Sequence, residues 1–261
     1  MTKVLDSFRL DGKVALVTGG AGLYGRQIAE ALAEAGAKTF IASRGIEALE
    51  KQAKKFRDAG LDVTALQLDQ SIEDSVRSLL EQIVDTAGQV DILVNNAVAR
   101  TMEPGAPRYE AFAKSQEINA TGILMMTEIF AEHMAGRKTG SIINVGSIYG
   151  MLGPDLSLYV DTGMHTPNQP DYWYNKGGML QLTRYAAAFY GPSGVRVNTI
   201  SPGGFFDNQP EKFVQRYNAK TFLGRMANEQ DLKGVIVFLA SDASGYITGV
   251  NIPVDAGLTA K

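Results

Sequence analysis

The sequence predicts an α/β fold, a doubly wound parallel sheet with helices on both faces, and three observations carry that prediction. Short β-branched runs alternate along the chain with longer segments whose apolar residues recur at three- and four-residue spacing. The short runs are nearly continuous in apolar residues, as strands are when helices cover both sides of a sheet. The first run ends in a glycine-rich turn that opens into a helical pattern, "VTGGAGLYGRQIAEAL".

In chain order, strands are expected in "KVALVTGG" (13–20), "AKTFIASR" (37–44), "LDVTALQLD" (61–69), "VDILVNNA" (90–97), "SIINVGS" (141–147), "VRVNTISPG" (195–203) and "VNIPVDAG" (250–257). Helices are expected over 24–36, 46–59, 72–88, 109–136 and 172–191. No linker, low-complexity stretch or internal repeat interrupts this rhythm, so residues 1–261 read as a single domain. One spacing is irregular. Between Ser147 and Tyr172 lies a stretch rich in Pro, Gly, Asp and Tyr, and 148–171 reads as a loop inserted at the active site. Residues 203–222, after the sixth strand, read as a substrate loop.

Composition narrows the function classes. With 261 residues, 45% hydrophobic and 20% charged, the chain can bury a sizeable core. The net charge of -3 comes from interspersed signs with no basic stripe, which argues against nucleic acid or a membrane surface as partner. A small molecule is the expected partner. Absence of cysteine excludes disulfides, thiolate nucleophiles and cysteine-held metals, and the two histidines, His133 and His165, argue against a histidine metal site. There is no run of 18 apolar residues and no apolar stretch at the N-terminus, so a cytoplasmic protein is expected.

Gly19, Gly22 and Gly25 fall where the first strand turns into a helix, flanked by Thr18, Leu23 and Tyr24. Missing side chains at such a turn let main chain approach a pyrophosphate, and the helix N-terminus presents free N–H groups to it. The second strand ends in Ser43 and Arg44, with no carboxylate before Glu47. An acidic residue there would hold the ribose 2′-hydroxyl of NAD, whereas an arginine accommodates the 2′-phosphate of NADP, so NADP is expected and NAD remains possible. Asp69, closing the third strand, suits either an acceptor for adenine amino groups or a cap for the helix near Ile72.

"PDYWYNKGG" (170–178) holds the chain's one Tyr–Lys pair with the tyrosine four residues before the lysine, Tyr172 and Lys176. On a helix that spacing puts both on one face, where an ammonium favours the phenolate and draws down a phenol pKa that starts at ~10. A phenol so tuned can pass a proton to or from an alcohol oxygen. Trp173 and Tyr174 lack such a partner and read as packing or pocket wall.

In their order along the chain these motifs resemble the short-chain dehydrogenase/reductase family in its short, single-domain form, over roughly residues 10 to 257. The resemblance implies a Rossmann-type sheet and hydride transfer between a secondary alcohol or ketone and a nicotinamide. It also implies the site residues. Thr18 and the glycines match the cofactor turn, Asp69 the adenine contact, Asn95, Asn96 and Ala97 the segment beside the nicotinamide ribose, and Pro202 and Gly203 the loop under the nicotinamide. Asn119, Ser147, Tyr172 and Lys176 match the catalytic positions. Tyr172 is then the acid/base, Ser147 a hydrogen-bond donor to the same substrate oxygen, Lys176 the ribose ligand that lowers the phenol pKa, and Asn119 the anchor of a relay water. A homotetramer or dimer built through the helices around 109–136 and 172–191 is implied as well.

Departures from the family pattern include "DAG" (255–257) in place of Asp-Gly-Gly and three positions nearer the cofactor: Leu23 where the middle glycine of the turn belongs, Val98 in place of glycine after "NNA", and Asp207 in place of a threonine. These three motivate an alternative, an inactive dinucleotide sensor or scaffold. The gap from Ser147 to Tyr172 is about twice the family's usual length. Its Asp155, Tyr159, Asp161, His165, Asn168 and Gln169, with "FFDNQPEKFVQRY" after the sixth strand, are richer in hydrogen-bonding groups than a lipid or steroid pocket needs. A sugar, sugar acid or polyol is expected. The pattern is similar to that of gluconate 5-dehydrogenases and oxidoreductases of nonulosonic-acid pathways.

Overall fold

Each apolar run becomes a strand whose successive residues face opposite sides of one sheet. The computed structural model describes residues 3–103 and 106–260, so the expected single domain includes five positions outside the described residues. The strands are β1 (Val14–Thr18), β2 (Lys38–Ser43), β3 (Val63–Gln67), β4 (Ile92–Asn95), β5 (Gly140–Val145), β6 (Val195–Pro202) and β7 (Asn251–Val254). They lie in the order β3-β2-β1-β4-β5-β6-β7, and every neighbouring pair is parallel. The helices are α1 (Leu23–Glu34), α2 (Ile46–Asp58), α3 (Glu73–Ala87), α4 (Arg108–Gln116), α5 (Gly122–Gly136), α6 (Pro170–Tyr190), α7 (Glu211–Ala219) and α8 (Lys233–Ala240).

The alternation explains why the strands read as continuously apolar. Ala15, Val17, Ile41, Ile92, Val94 and Ile143 join one core with Ile28 and Leu32 of α1 and Ile236 and Leu239 of α8. Their neighbours Leu16, Phe40, Leu93 and Ile142 join the other, with Leu79 and Ile83 of α3 and Phe130 of α5. Both faces are buried, so neither can be polar. Because β1 sits between β2 and β4, successive crossovers run in opposite directions from it, and a crevice opens there at the carboxyl ends of the strands.

The structure departs from the expected elements in three places. The helix expected over 109–136 is interrupted by a π-helical turn, Glu117–Thr121, between α4 and α5. Such a wide turn leaves the apolar spacing almost unchanged, which hides it in the sequence. α6 begins at Pro170, whose missing N–H costs nothing in a first turn, so the inserted loop ends at 169 rather than 171. α7 and α8 were not expected, because they are short and "VIVFLA" within α8 has the composition of a strand.

Candidate active site

A cleft of about 590 Å³ lies in that crevice. Its floor is main chain. Gly19 adopts φ +68°, and a Cβ on Gly25 would stand 2.1 Å from the Gly19 carbonyl oxygen, so α1 can start against the turn only with glycine there. The first-turn N–H groups of α1 have no acceptor within their helix, and no acidic residue occupies that turn. Gly22 precedes the helix in extended conformation, and Leu23 stands 42% exposed at the rim without filling the turn. Tyr24 donates its hydroxyl to the Gly203 carbonyl at 2.8 Å and meets Phe205 edge-on, which ties the turn to the exit of β6. Burial pushes its phenol pKa up.

Thr18 and Asn119 do not line the cleft; they stand behind it. The buried Thr18 Oγ1 accepts the N–H groups of Asn96 and Ala97, each at 3.0 Å, and so fixes the exit of β4 against β1. The Asn96 side chain returns the bond to the Thr18 carbonyl at 2.9 Å. At the exit of β2, Ser43 and exposed Arg44 line the cleft, and Arg44 makes no ion pair among the described residues. Asp69 lines it too. Its Oδ1 accepts from the Ser71 hydroxyl at 2.6 Å and the Ser71 N–H at 3.0 Å, bonds that hold its carboxyl below the usual range, with the Arg44 charge adding to them. Asp69 thus closes the turn ahead of α3 and does not cap the helix itself, which starts at Glu73.

On the other side of the cleft β5 delivers Ser147 and α6 delivers Tyr172 and Lys176, with Pro202 and Gly203 beside them. Ser147 is buried and accepts the Tyr149 N–H at 3.1 Å, which caps the short turn Ile148–Gly150. The Lys176 ammonium donates to the Val145 carbonyl at 2.6 Å. Burial, and then the nearby Arg100 charge, pull its pKa down to about 8. Two cations flank the Tyr172 ring, Lys176 Nζ at 5.7 Å from the centroid and the Arg100 guanidinium at 4.3 Å. A buried ladder fixes α6 to the sheet: Asn95 donates to Asn144 at 2.9 Å, Asn144 to Thr183 at 2.8 Å, and Thr183 meets Thr199 at 2.6 Å.

Asn119, in the π-helical turn, spends its side chain on main chain. Its Oδ1 accepts the Ala99 N–H at 2.8 Å, while Nδ2 donates to the Ala99 carbonyl at 2.9 Å and to Ser115 Oγ at 3.0 Å. The two rings next to Tyr172 part company. Trp173 packs on Tyr149 with centroids 4.5 Å apart, but Tyr174 is 66% exposed and touches Phe112, so it lies at the surface and walls no pocket.

The inserted loop is docked on α7 and the segment following it. Asp155 pairs with Lys220, Arg216 donates to the carbonyls of Ser157 and Val160, and Tyr159 meets Phe213 edge-on at 5.3 Å. Leu158, Phe213, Tyr217 and Met226 form a small core beneath them. His165 is exposed. Sequence reasoning missed Arg100, Ser115, Asp171 and Asn175. A cation shortly after the carboxyl end of a central strand is a usable signal for Arg100. No spacing in the sequence links Ser115 to Asp171 and Asn175. Among the described residues no group of acidic or histidine side chains could hold a metal, and no helix is long and apolar enough to cross a membrane.

Residues 22–259 match the family model described as enoyl-(acyl carrier protein) reductase. The chain is 34% identical over 257 residues to cis-4-hydroxycyclohexanecarboxylate dehydrogenase of Sinomonas cyclohexanicum, covering 95% of this chain and 97% of that one. It is 29% identical to the 3-oxoacyl-[acyl-carrier-protein] reductase of Thermotoga maritima, covering 96% and 99%. Its structure is similar to that of a gluconate 5-dehydrogenase from Burkholderia cenocepacia J2315, solved in complex with NADP and tartrate, with TM-score 0.87, 31% identity and coverage of 99% and 100%.

Proposed function

The chain belongs to the short-chain dehydrogenase/reductase family and is an oxidoreductase, and from that premise we propose that it interconverts a secondary alcohol and a ketone on a sugar acid with NADP(H). Within the wider class of sugars, sugar acids and polyols, one observation carries the choice of an acid. The Arg100 guanidinium lines the cleft over the Tyr172 ring and has no ion-pair partner among the described residues. An unpaired guanidinium beside the reacting group attracts a carboxylate, which it can hold through two parallel hydrogen bonds. The names of two relatives support the same reading, since gluconate and 4-hydroxycyclohexanecarboxylate are both hydroxy carboxylates.

The residues fit a dinucleotide. The open amino end of α1, and the turn where a Cβ on Gly25 would collide with main chain, suit a pyrophosphate, and Arg44 beside Ser43 suits a 2′-phosphate. Asp69 would meet the adenine, Asn96, Ala97 and Lys176 the nicotinamide ribose, and Pro202 and Gly203 the nicotinamide. When bound, the cofactor accepts or supplies the hydride. The chain's part is placement and proton handling. Tyr172 takes the proton from the substrate hydroxyl, or gives it to the carbonyl, and Ser147 donates a hydrogen bond to the same oxygen. Lys176, buried one helical turn beyond Tyr172 with its pKa drawn down to about 8, stands on the same face of the helix. The Asn119 side chain has both of its donors committed to Ala99 and Ser115 and so holds the loop before Arg100, which leaves its main chain to anchor the relay water. Exposed Tyr174, Tyr185 and Phe189 on one helix support assembly as a homodimer or homotetramer, which sedimentation would measure.

The test is NADP⁺ reduction, followed by absorbance, with D-gluconate and other aldonic acids against matched neutral polyols such as sorbitol. The acids should show kcat/KM roughly tenfold or more above the polyols. Arg100→Gln should remove that preference, and Tyr172→Phe should lower kcat by roughly 10²- to 10⁴-fold in a folded protein. Equal turnover of gluconate and sorbitol, or an acid preference that survives Arg100→Gln, would overturn the sugar-acid reading.

A further inference from the structure

We propose that Ser115 and Asp171 are positioning residues that hold Arg100 over the Tyr172 ring, by setting the direction of the hydrogen bonds that run from α6 through Ser115 and Asn119 to the loop after β4. This rests on the reading of Arg100 as the partner of the substrate carboxylate.

Start from Asp171, the residue before Tyr172. Its side chain is 4% exposed, and as a carboxylate it can only accept. Oδ2 accepts from Ser115 Oγ at 2.5 Å, a short distance typical of a hydroxyl donating to a carboxylate. A serine hydroxyl has one hydrogen, so Ser115, itself fully buried, must turn its lone pairs the other way. They receive the amides of Asn119 at 3.0 Å and Asn175 at 3.1 Å. With its Nδ2 directed at Ser115, Asn119 must present Oδ1 to the Ala99 N–H and its remaining hydrogen to the Ala99 carbonyl. Ala99 is thereby gripped at both polar atoms, and Arg100 follows it. The chain closes on itself: Asp171 fixes Ser115, Ser115 fixes Asn119, Asn119 fixes Ala99, and the next residue lies on the ring adjacent to Asp171 along α6.

An amide reversed by half a turn at Asn119 would set oxygen against oxygen at Ala99 and leave buried groups unpaired. The N–H and carbonyl of Ala99 oppose that reversal from one side, and Ser115, its hydrogen held by Asp171, opposes it from the other. The network cannot relax by solvent exchange either, because Ser115, Asn119, Asp171 and Asn175 are all buried. A purely structural role would call for every atom to be satisfied, yet Asp171 Oδ1 and Asn175 Oδ1 are buried without a hydrogen-bond partner among the described residues. Here the polarity of the network also registers one loop, and that loop carries the cation nearest the centre of the Tyr172 ring.

Two measurements on the NADP⁺-loaded enzyme test the inference. Hydrogen exchange at the Ala99 amide should be roughly tenfold faster in Ser115→Ala and Asp171→Ala, with the amides of β4 and α6 unchanged. Asp171→Asn keeps a carbonyl acceptor for Ser115 and should restore most of the protection. In parallel, KM for gluconate should rise roughly tenfold in the two alanine variants, while sorbitol turnover and NADPH affinity stay as in the parent. The double variant should be no worse than Ser115→Ala alone, since both break one chain of bonds. Unchanged exchange at Ala99, or equal losses for gluconate and sorbitol, would overturn the proposal. If Ser115→Ala does not fold, Asp171→Ala against Asp171→Asn makes the same comparison. Arg100→Gln separates the two readings. Loss of acid preference there with no effect of Asp171→Ala sinks the positioning role alone, and faster exchange at Ala99 without any acid preference sinks only the sugar-acid reading.

Discussion

The glycine turn at residues 18–25, on one side of the molecule's cleft, is held together by main chain, whereas the outer wall formed by residues 148–169 and 211–222, beyond the cleft lining, is held by side chains from distant parts of the sequence. In the first, Gly25 leaves room measured against the Gly19 carbonyl oxygen and Gly19 against the Ala97 Cα, and Thr18 receives two backbone N–H groups. In the second, Asp155 reaches Lys220, Arg216 reaches the Val160 carbonyl, and Tyr159 leans on Phe213. Main-chain contacts admit one residue type and resist change. Pairs of side chains admit many combinations, so that wall can vary with substrate while the dinucleotide side stays fixed.

If this contrast is right, the largest effect belongs to Gly25→Ala. Its Cβ would fall 2.1 Å from the Gly19 oxygen, so the turn must move, and NADPH affinity should drop roughly a hundredfold in a fluorescence titration. Retained affinity would break the comparison at its stronger end. Next is Arg44→Gln. Loss of a charge-assisted contact should weaken NADPH binding roughly ten- to a hundredfold and leave NADH binding unchanged. Equal losses for both dinucleotides would remove Arg44 from the 2′-phosphate.

The side-chain wall should respond differently. Lys220→Ala breaks a pair whose members are each 41% exposed, so chemical denaturation should register about 1 kcal/mol or less. The effect should show instead in KM for the acid, by a few-fold, with NADPH affinity untouched and with added salt reproducing part of it. A change in NADPH affinity would mean that the two walls are mechanically one. The smallest effect belongs to neither wall. His133, at the opposite end of the strands, accepts the Val90 N–H at Nε2, 3.1 Å away, which requires neutral imidazole. Burial, and then Arg137, hold its pKa below the ordinary 6.5. Below that value the unfolded chain binds the proton that the folded one resists, so stability falls as pH drops from about 6.5 toward the folded-state pKa. The loss should be about 1 kcal/mol, the net worth of one hydrogen bond, and His133→Gln should flatten the pH dependence of thermal unfolding.

The sequence by itself determined the seven strands, the parallel character of their sheet, the glycine turn and the placing of Tyr172 and Lys176 on one helix face. All of these follow from local rules: alternation within a buried strand, φ and Cβ limits at a turn, and one helical turn between two side chains. Boundaries blurred where local rules overlap, as at the π-helical turn inside 109–136 and the strand-like apolar run of α8. Only the tertiary structure decided that Asp69 closes a turn, that Tyr174 faces outward, and that Arg100 lies over Tyr172. It alone brought Ser115 on α4 to Asp171 on α6, 56 residues apart. A hydrogen bond forms between atoms 3 Å apart in space, and nothing in the chain's own periodicity encodes which two helices will bring such atoms together.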